Sequence, residues 1–265
     1  MLGGAPPILS GMSIPKAALV TGAARRIGRA VALDLARHGW AVAVHYARSG
    51  AEADAVASEI RAAGGNAIAL RADLSREAET ASLLQRATDA LGPIGCLVNN
   101  ASQFKRDELD TADRASWDAH LETNLRAPFV LIQAMARLLP QDREGVVVNM
   151  LDQRVWNLTP HFLSYTLSKS GLWTLTQTLA LALAPRIRVN AIGPGPALPN
   201  ERQSEEQFRR QYESTPLRKP VDVAELCEAV RFLISASSMT GQMIALDSGQ
   251  HLFWSPSYQS GEDSE

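Results

Sequence analysis

From Ala17 onward the chain alternates short apolar runs with stretches whose apolar residues recur at helical spacing, and this alternation limits the fold more than any other feature. The runs Ala17 to Val20, Ala41 to Tyr46, Ala67 to Leu70, Cys96 to Val98, Val146 to Met150, Arg188 to Ile192 and Met243 to Leu246 read as seven strands. Helical spacing covers Ile27 to Leu35, Ala51 to Ala63, Glu77 to Leu91, Ser116 to Leu139, Leu163 to Leu183 and Val221 to Ile234. A right-handed crossover through each helix returns the chain to the same strand direction, which predicts a doubly wound α/β fold: a seven-stranded parallel sheet with helices on both faces. No linker rich in Pro, Gly or Ser divides the alternation, so one domain is expected over 16–265, behind a flexible leader at 1–15. The one long irregular stretch, Gly193 to Pro220, follows the carboxyl end of a strand, where such sheets place ligand-binding loops.

Composition narrows the class of partner. With 46% hydrophobic residues among 265, the chain buries a large core, and disorder as the dominant state is excluded. The 26 Lys and Arg against 28 Asp and Glu leave a formal charge of -2, which gives no overall attraction to nucleic acid. The leader lacks a basic start and is broken by Pro6, Pro7 and Gly11. The most apolar later segment, Leu172 to Ala184, is too short to cross a bilayer of about 30 Å. Cys96 and Cys227 stand far apart without a CxxC pattern and read as small buried apolar residues. His161 has no partner at ligand spacing, so no metal site is expected. Together these point to a cytoplasmic protein with neither a membrane nor a nucleic-acid partner.

The turn Thr21-Gly22-Ala23-Ala24-Arg25-Arg26-Ile27-Gly28 joins the first strand to the first helix, where backbone N–H groups can receive a pyrophosphate. Gly22 permits the tight turn and Gly28 close helix packing. After the second strand comes His45-Tyr46-Ala47-Arg48-Ser49, without the carboxylate that would bind the ribose hydroxyls of NAD. Arg48 and Ser49 can instead donate to a ribose 2′-phosphate, which makes NADPH the expected cofactor. Asp73 suits either an adenine amino group or a helix N-cap region.

Tyr165 and Lys169 are four residues apart on one helix, so both side chains act on one point. A tyrosine titrates near pH 10 in isolation, and a neighbouring ammonium favours its phenolate. Asn99-Asn100-Ala101-Ser102 after the fourth strand, Asn124 in the fourth helix and Gly193-Pro194-Gly195 after the sixth strand complete the constellation.

With these motifs the chain resembles the short-chain dehydrogenase/reductase family from Lys16 to about Phe253. The resemblance implies that Tyr165 delivers a proton, that Lys169 holds the nicotinamide ribose, and that Asn124 helps support a proton-relay water. It also implies a cofactor-facing set of Gly22, Arg25, Arg26, Ile27, Gly28, His45, Tyr46, Arg48, Ser49, Asp73, Leu74, Asn100, Ala101, Ser102, Met150, Pro194, Gly195 and Pro196, together with Tyr165 and Lys169, and a homotetramer. Two departures stand out. Thirteen residues before the tyrosine, most of the family carries serine; here it is Asp152, whose charge would repel the oxyanion of a reduced ketone. Arg26 replaces the middle glycine of the turn, its guanidinium expected to face the cofactor phosphates and the substrate edge.

Both features make the chain similar to the pteridine reductase branch. That likeness implies a substrate pocket of Arg26, Ser102, Phe104, Asp152 and Tyr165, with Phe104 stacked on the pterin; a core or interface aromatic is the alternative for Phe104. Trp156 and His161 fall between Asp152 and Tyr165 and are candidates for the substrate mouth, whereas Trp173 reads as core or interface. The expected activity is hydride transfer to a dihydropterin C=N bond, with Tyr165 as proton donor and Asp152 as anchor and relay. A carbonyl or sugar reductase on the same scaffold, and a non-catalytic NADPH-binding protein, are the competing readings.

Overall fold

The computed structural model describes residues 12–199 and 203–252. Its seven strands are β1 (Ala17–Val20), β2 (Ala41–Tyr46), β3 (Ala67–Arg71), β4 (Cys96–Asn99), β5 (Gly145–Met150), β6 (Ile187–Pro194) and β7 (Met243–Leu246). They form one sheet in the order β3-β2-β1-β4-β5-β6-β7, every pairing parallel. Successive side chains leave a strand on opposite faces, so Ala18 and Val20 enter one core while Leu19 enters the other. On the first face α1 (Arg26–Arg37), α2 (Gly50–Ala62) and α8 (Val223–Ser235) pack through Val31, Leu35, Val56, Ile60, Leu226 and Val230. On the second, α3 (Glu77–Leu91), α5 (Ala127–Leu138) and α6 (Leu163–Leu183) supply Leu83, Leu84, Leu131, Met135 and Ala180. Burial on both faces is why the strands read as unbroken apolar runs.

The chain runs outward from β1 to β2 and β3, then returns to the other side of β1 as β4. This reversal opens a crevice at the carboxyl ends of β1 and β4, the place where open parallel sheets bind ligands.

Several expectations change. The helix expected from Ser116 to Leu139 is two helices, α4 (Arg114–Leu121) and α5, joined by a π turn at Glu122–Arg126 that carries Asn124. The stretch from Gly193 to Pro220 is not wholly irregular: β6 runs on to Pro194, and α7 (Glu205–Glu213) follows a capping box between Ser204 and Gln207. Part of the expected leader is held down, since Ser13 bridges to Arg143, whose Nη1 donates to Ser13 Oγ at 2.6 Å, and Ile14 packs on the core. Residues 1–11 and Trp254 lie outside the described residues. Among the described residues no helix is long and apolar enough to cross a membrane. Burial pushes the Cys96 thiol up to about 12 and that of Cys227 to about 11, which keeps both protonated.

His45, at the end of β2, is buried with both ring nitrogens engaged: Nδ1 accepts the Gly22 N–H at 3.0 Å, and Nε2 donates to Ala72 O at 3.0 Å. Burial lowers its pKa from 6.5 to about 4. The unfolded chain therefore binds a proton below pH 6.5 that the folded protein refuses until about pH 4. Stability from this group is complete above pH 6.5 and falls as the pH drops toward 4, by about 3 kcal/mol over the window. Urea unfolding as a function of pH should show this loss, and His45→Gln should flatten most of it; an unchanged slope in the variant would rule His45 out as its source.

Candidate active site

The turn after β1 is held by its own polar groups. Thr21 Oγ1 accepts the Asn100 and Ala101 N–H groups at 2.9 Å each, while Asn100 Nδ2 donates to Thr21 O at 2.9 Å and Gly22 O at 3.2 Å. Gly22 has φ +63°, and a Cβ there would meet Ala101 Cα at 3.0 Å. At Gly28 a Cβ would run into Gly22 O and Asn100 Nδ2, so the helix packs directly on the turn. No side chain caps the start of α1, which leaves first-turn N–H groups for an anion.

This turn forms one wall of a cleft of about 450 Å³. Gly22, Arg25, Arg26, Ile27, Gly28, His45, Tyr46, Arg48, Ser49, Asp73, Leu74, Asn100, Ala101 and Ser102 all line it. Glycines where a Cβ would intrude, an uncapped helix start and an arginine beside the β2 end fit a phosphorylated dinucleotide. Three of these residues also make structural contacts of their own. His45 supports the turn from behind through its Gly22 bond. Asp73 Oδ1 accepts from Ser75 N at 3.0 Å and Ser75 Oγ at 2.7 Å, a local turn ahead of α3, and the hydroxyl bond holds its pKa below the ordinary carboxylate value. Arg26 adopts φ +55° and sends its guanidinium across to the segment after β6, where Nη2 donates to Leu198 O at 3.0 Å and Nη1 to Pro199 O.

Farther along the strand ends lie Met150, Tyr165, Lys169 and the Pro194-Gly195-Pro196 corner. Gly195 is needed there because a Cβ would come within 2.6 Å of Asp247 Cα. Asn149 Nδ2 donates to Thr176 Oγ1 at 2.9 Å and ties α6 to the sheet. Lys169 is buried beneath this helix, its Nζ donating to Met150 O at 2.8 Å and lying 5.7 Å from the Tyr165 ring centre. Burial lowers its pKa to about 8, against an opposing pull from the Asp152 carboxylate.

Asp152 uses its two oxygens differently. Oδ1 caps the 3₁₀ turn Gln153–Val155 by accepting Arg154 N at 2.9 Å. Oδ2 accepts Tyr165 Oη at 2.8 Å and Arg154 Nη1 at 3.2 Å. The carboxyl therefore faces the phenol. Arg154 escaped the sequence reading: its side chain is only 12% exposed, with the guanidinium carbon 5.1 Å from the Phe162 ring centre and 5.6 Å from that of Phe104. Nothing in the local sequence separates it from a solvated arginine.

Phe104 stands beside Tyr165 but offers less than expected. One face stacks on Phe162, with centroids 4.6 Å apart and planes 5° from parallel, and it meets Tyr165 edge-on at 4.7 Å. The stack occupies one of the two faces a flat ligand could use. Asn124 is likewise committed: Oδ1 accepts Gln103 N at 2.7 Å and Ser102 Oγ at 3.2 Å, and Nδ2 donates to Gln103 O at 2.9 Å and Ser168 Oγ at 3.0 Å. Its side chain fixes the 102–103 segment from within the π turn, a helix irregularity frequent at functional sites. Trp156 stacks edge-on against Trp173 and His251, while His161 Nδ1 pairs with Glu108 Oε1 at 2.8 Å. Among the described residues no group of three His, Cys, Asp or Glu could hold a metal ion.

A buried chain behind Phe104 was also invisible in the sequence. His120 Nε2 accepts the Lys105 N–H at 3.1 Å, so the ring proton sits on Nδ1 and is donated to Ser164 Oγ at 2.6 Å. Ser164 Oγ donates in turn to Asp107 Oδ2. The Ser164 proton thus points away from the histidine, and all three residues are buried. The chain joins the residue before Tyr165 to the segment bearing Phe104.

A doubly wound parallel sheet with an anion-ready turn at its strand-order reversal, and a tyrosine above a buried lysine, defines a dinucleotide-dependent oxidoreductase. The profile of the short chain dehydrogenases matches residues 16–210, and the chain belongs to that family. Among solved structures it is similar to FolM alternative dihydrofolate reductase 1 from Brucella canis, complexed with NADP. That similarity amounts to 51% identity and a TM-score of 0.89, covering 92% of this chain and 97% of the other. The Brucella suis protein of that name, also with NADP, is 50% identical with a TM-score of 0.85, covering 91% and 98%. Among curated relatives, the 3-oxoacyl-[acyl-carrier-protein] reductase FabG of Staphylococcus epidermidis is 34% identical over 242 residues, 89% of this chain and 99% of that one.

Burial lowers the His120 pKa, so ¹⁵N chemical shifts at neutral pH should show a neutral ring protonated at Nδ1. His120→Ala removes the acceptor of the Lys105 amide, whose hydrogen exchange should quicken about tenfold, the equivalent of one hydrogen bond. A ring found protonated at Nε2 would contradict the assignment.

Proposed function

We propose that the protein is an NADPH-dependent pterin reductase that moves a hydride onto the C=N bond of a dihydropterin or dihydrofolate. The reading rests on one contact, the 2.8 Å hydrogen bond from Tyr165 Oη to the Asp152 carboxylate. A serine at 152 would donate to a carbonyl oxygen; a carboxylate only accepts, and it accepts best from the N–H and amino groups along the edge of a pterin. The two Brucella proteins with NADP, alike over more than nine-tenths of this chain, support the same substrate class.

NADPH is the cofactor; when bound it supplies the hydride. The Gly22 to Gly28 turn would hold its pyrophosphate, Arg48 and Ser49 its 2′-phosphate, and Lys169 its nicotinamide ribose. Tyr165 begins with its hydroxyl proton in place, donated to Asp152, and is set to pass that proton to the ring nitrogen as negative charge develops there. The transfer leaves a phenolate 2.8 Å from a carboxylate, a repulsion of about 6 kcal/mol at an effective dielectric of about 20. Lys169 on one side and Arg154 on the other offset it. Asn124 and the His120 chain keep the 102–107 segment, and with it Phe104, against the pocket. Exposed Leu167 and Leu181 on α6 and Phe232 on α8 would be covered in the homotetramer this reading implies.

A carbonyl reductase is the second reading, favoured by the likeness to FabG. Assays of NADPH oxidation with 7,8-dihydrofolate, 7,8-dihydrobiopterin and a panel of ketones separate the two. Turnover of a reduced pterin should exceed that of any ketone and fall at least about a hundredfold in Tyr165→Phe and about tenfold in Asp152→Ala. Arg48→Ala should raise KM for NADPH while leaving that for NADH little changed. Ketone turnover indifferent to Asp152→Ala, with no pterin turnover, would transfer the assignment to the carbonyl reductase.

A further inference from the structure

The mechanism places two anions side by side once Tyr165 has lost its proton, and only one of the neighbouring cations, Lys169, belongs to the motif that marked the site in the sequence. We propose that Arg154 is a positioning residue that supplies the missing counter-charge: by gripping Asp152 it allows Tyr165 to ionise beside a carboxylate. The function of Arg154 rests on the pterin reductase reading for its purpose, but its physical action does not depend on the substrate.

The local geometry is specific. Arg154 reaches Asp152 twice, through its backbone N–H to Oδ1 at 2.9 Å and through Nη1 to Oδ2 at 3.2 Å. The second contact is to the same oxygen that receives the tyrosine hydroxyl at 2.8 Å. Proton loss from Tyr165 removes one donor from Oδ2, and Arg154 remains as the donor that keeps the carboxylate in place. The guanidinium is held there by the Phe104 and Phe162 rings at 5.6 and 5.1 Å, in a setting where its side chain is only 12% exposed. Water has little access to screen the charges, so the pairing acts at short range and with weak screening. Among the described residues, the other titratable groups facing the phenol are Lys169 from α6, already at work on the same ring, and His120 from α4, its ring 5.9 Å away and its pKa lowered by burial.

If Arg154 acts through the charge of Asp152, removing it matters only while that charge is present. Tyrosinate formation is read by ultraviolet difference absorption, with Tyr165→Phe subtracted to isolate the one phenol. In Arg154→Met the Tyr165 signal should appear at a pH higher by about one unit or more. In Arg154→Met combined with Asp152→Asn it should stand within about 0.3 units of Asp152→Asn alone, and Arg154→Lys should recover part of the shift. In turnover with 7,8-dihydrofolate, Arg154→Met should lower kcat at least about tenfold with KM changed less than about threefold, and hardly at all when Asp152 is already Asn. A titration unchanged in Arg154→Met, or shifted equally in both backgrounds, would overturn the proposal. Intact coupling in the titration with no turnover of any pterin would instead count against the substrate assignment and leave the role of Arg154 standing.

Discussion

The reversal of strand order between β1 and β4 governs everything downstream of it. Two neighbouring parallel strands whose onward connections leave in opposite directions open a crevice that neither crossover fills, and the exposed backbone there must find partners. This chain supplies them from both strands at once: Thr21 and Asn100 exchange bonds across the gap, and His45 from the next strand closes the back. The turn is consequently rigid before any ligand arrives, with its remaining N–H groups at the start of α1 directed by structure instead of by the ligand. A binding site of this kind loses little conformational entropy when occupied.

The catalytic end follows from the same sheet. β5 ends at Met150, whose carbonyl takes the Lys169 ammonium, and two residues later Asp152 turns back toward α6. Asn149 and Thr176 fix α6 relative to that strand, so the distance between carboxylate and phenol is set by the sheet and not by a flexible loop. The result is an acidic pair flanked by two cations: guanidinium, carboxylate, phenol, ammonium. Such an array is costly to assemble from one end and tolerable only when complete, because an unpaired buried charge costs several kcal/mol. The buried Lys169, with its pKa near 8, is the member nearest to losing its charge at physiological pH.

Much of this was legible beforehand, and the parts that were not share a cause. The strands were read from apolar runs that both faces of a parallel sheet require, and Tyr165 with Lys169 from spacing fixed by helix geometry. Asp152 was noticed because a carboxylate is chemically out of place for ketone reduction, and its contact with Tyr165 is the one the structure displays. Arg154 and the Asp107, Ser164, His120 chain were missed because their meaning lies in contacts among segments distant in sequence, as with the 2.6 Å bond between His120 and Ser164. The π turn at Glu122–Arg126 leaves the apolar pattern nearly intact and shifts it by one residue, too little to see. α7 buries no side chain and so has no apolar stripe, although Ser204 followed by Gln207 is the capping pattern that could have announced it.

Two residues near the site adopt a backbone conformation usually left to glycine, Arg26 at φ +55° and Phe162 at φ +58°. Each costs about 1–2 kcal/mol relative to an ordinary helical or extended residue. Glycine would remove the strain in both places, so the reason for keeping a side chain must be what the side chain does. Arg26 spans the cleft to the carbonyls of Leu198 and Pro199, linking the phosphate-binding turn to the loop after β6. Phe162 begins the turn into α6 three residues before Tyr165, stacks on Phe104 and lies under the Arg154 guanidinium. One strained residue thus joins the two walls of the cleft and the other lies against the guanidinium that pairs with Asp152. Strain retained at these two points, with the side chains engaged across chain segments, ties the local backbone to the chemistry of the pocket.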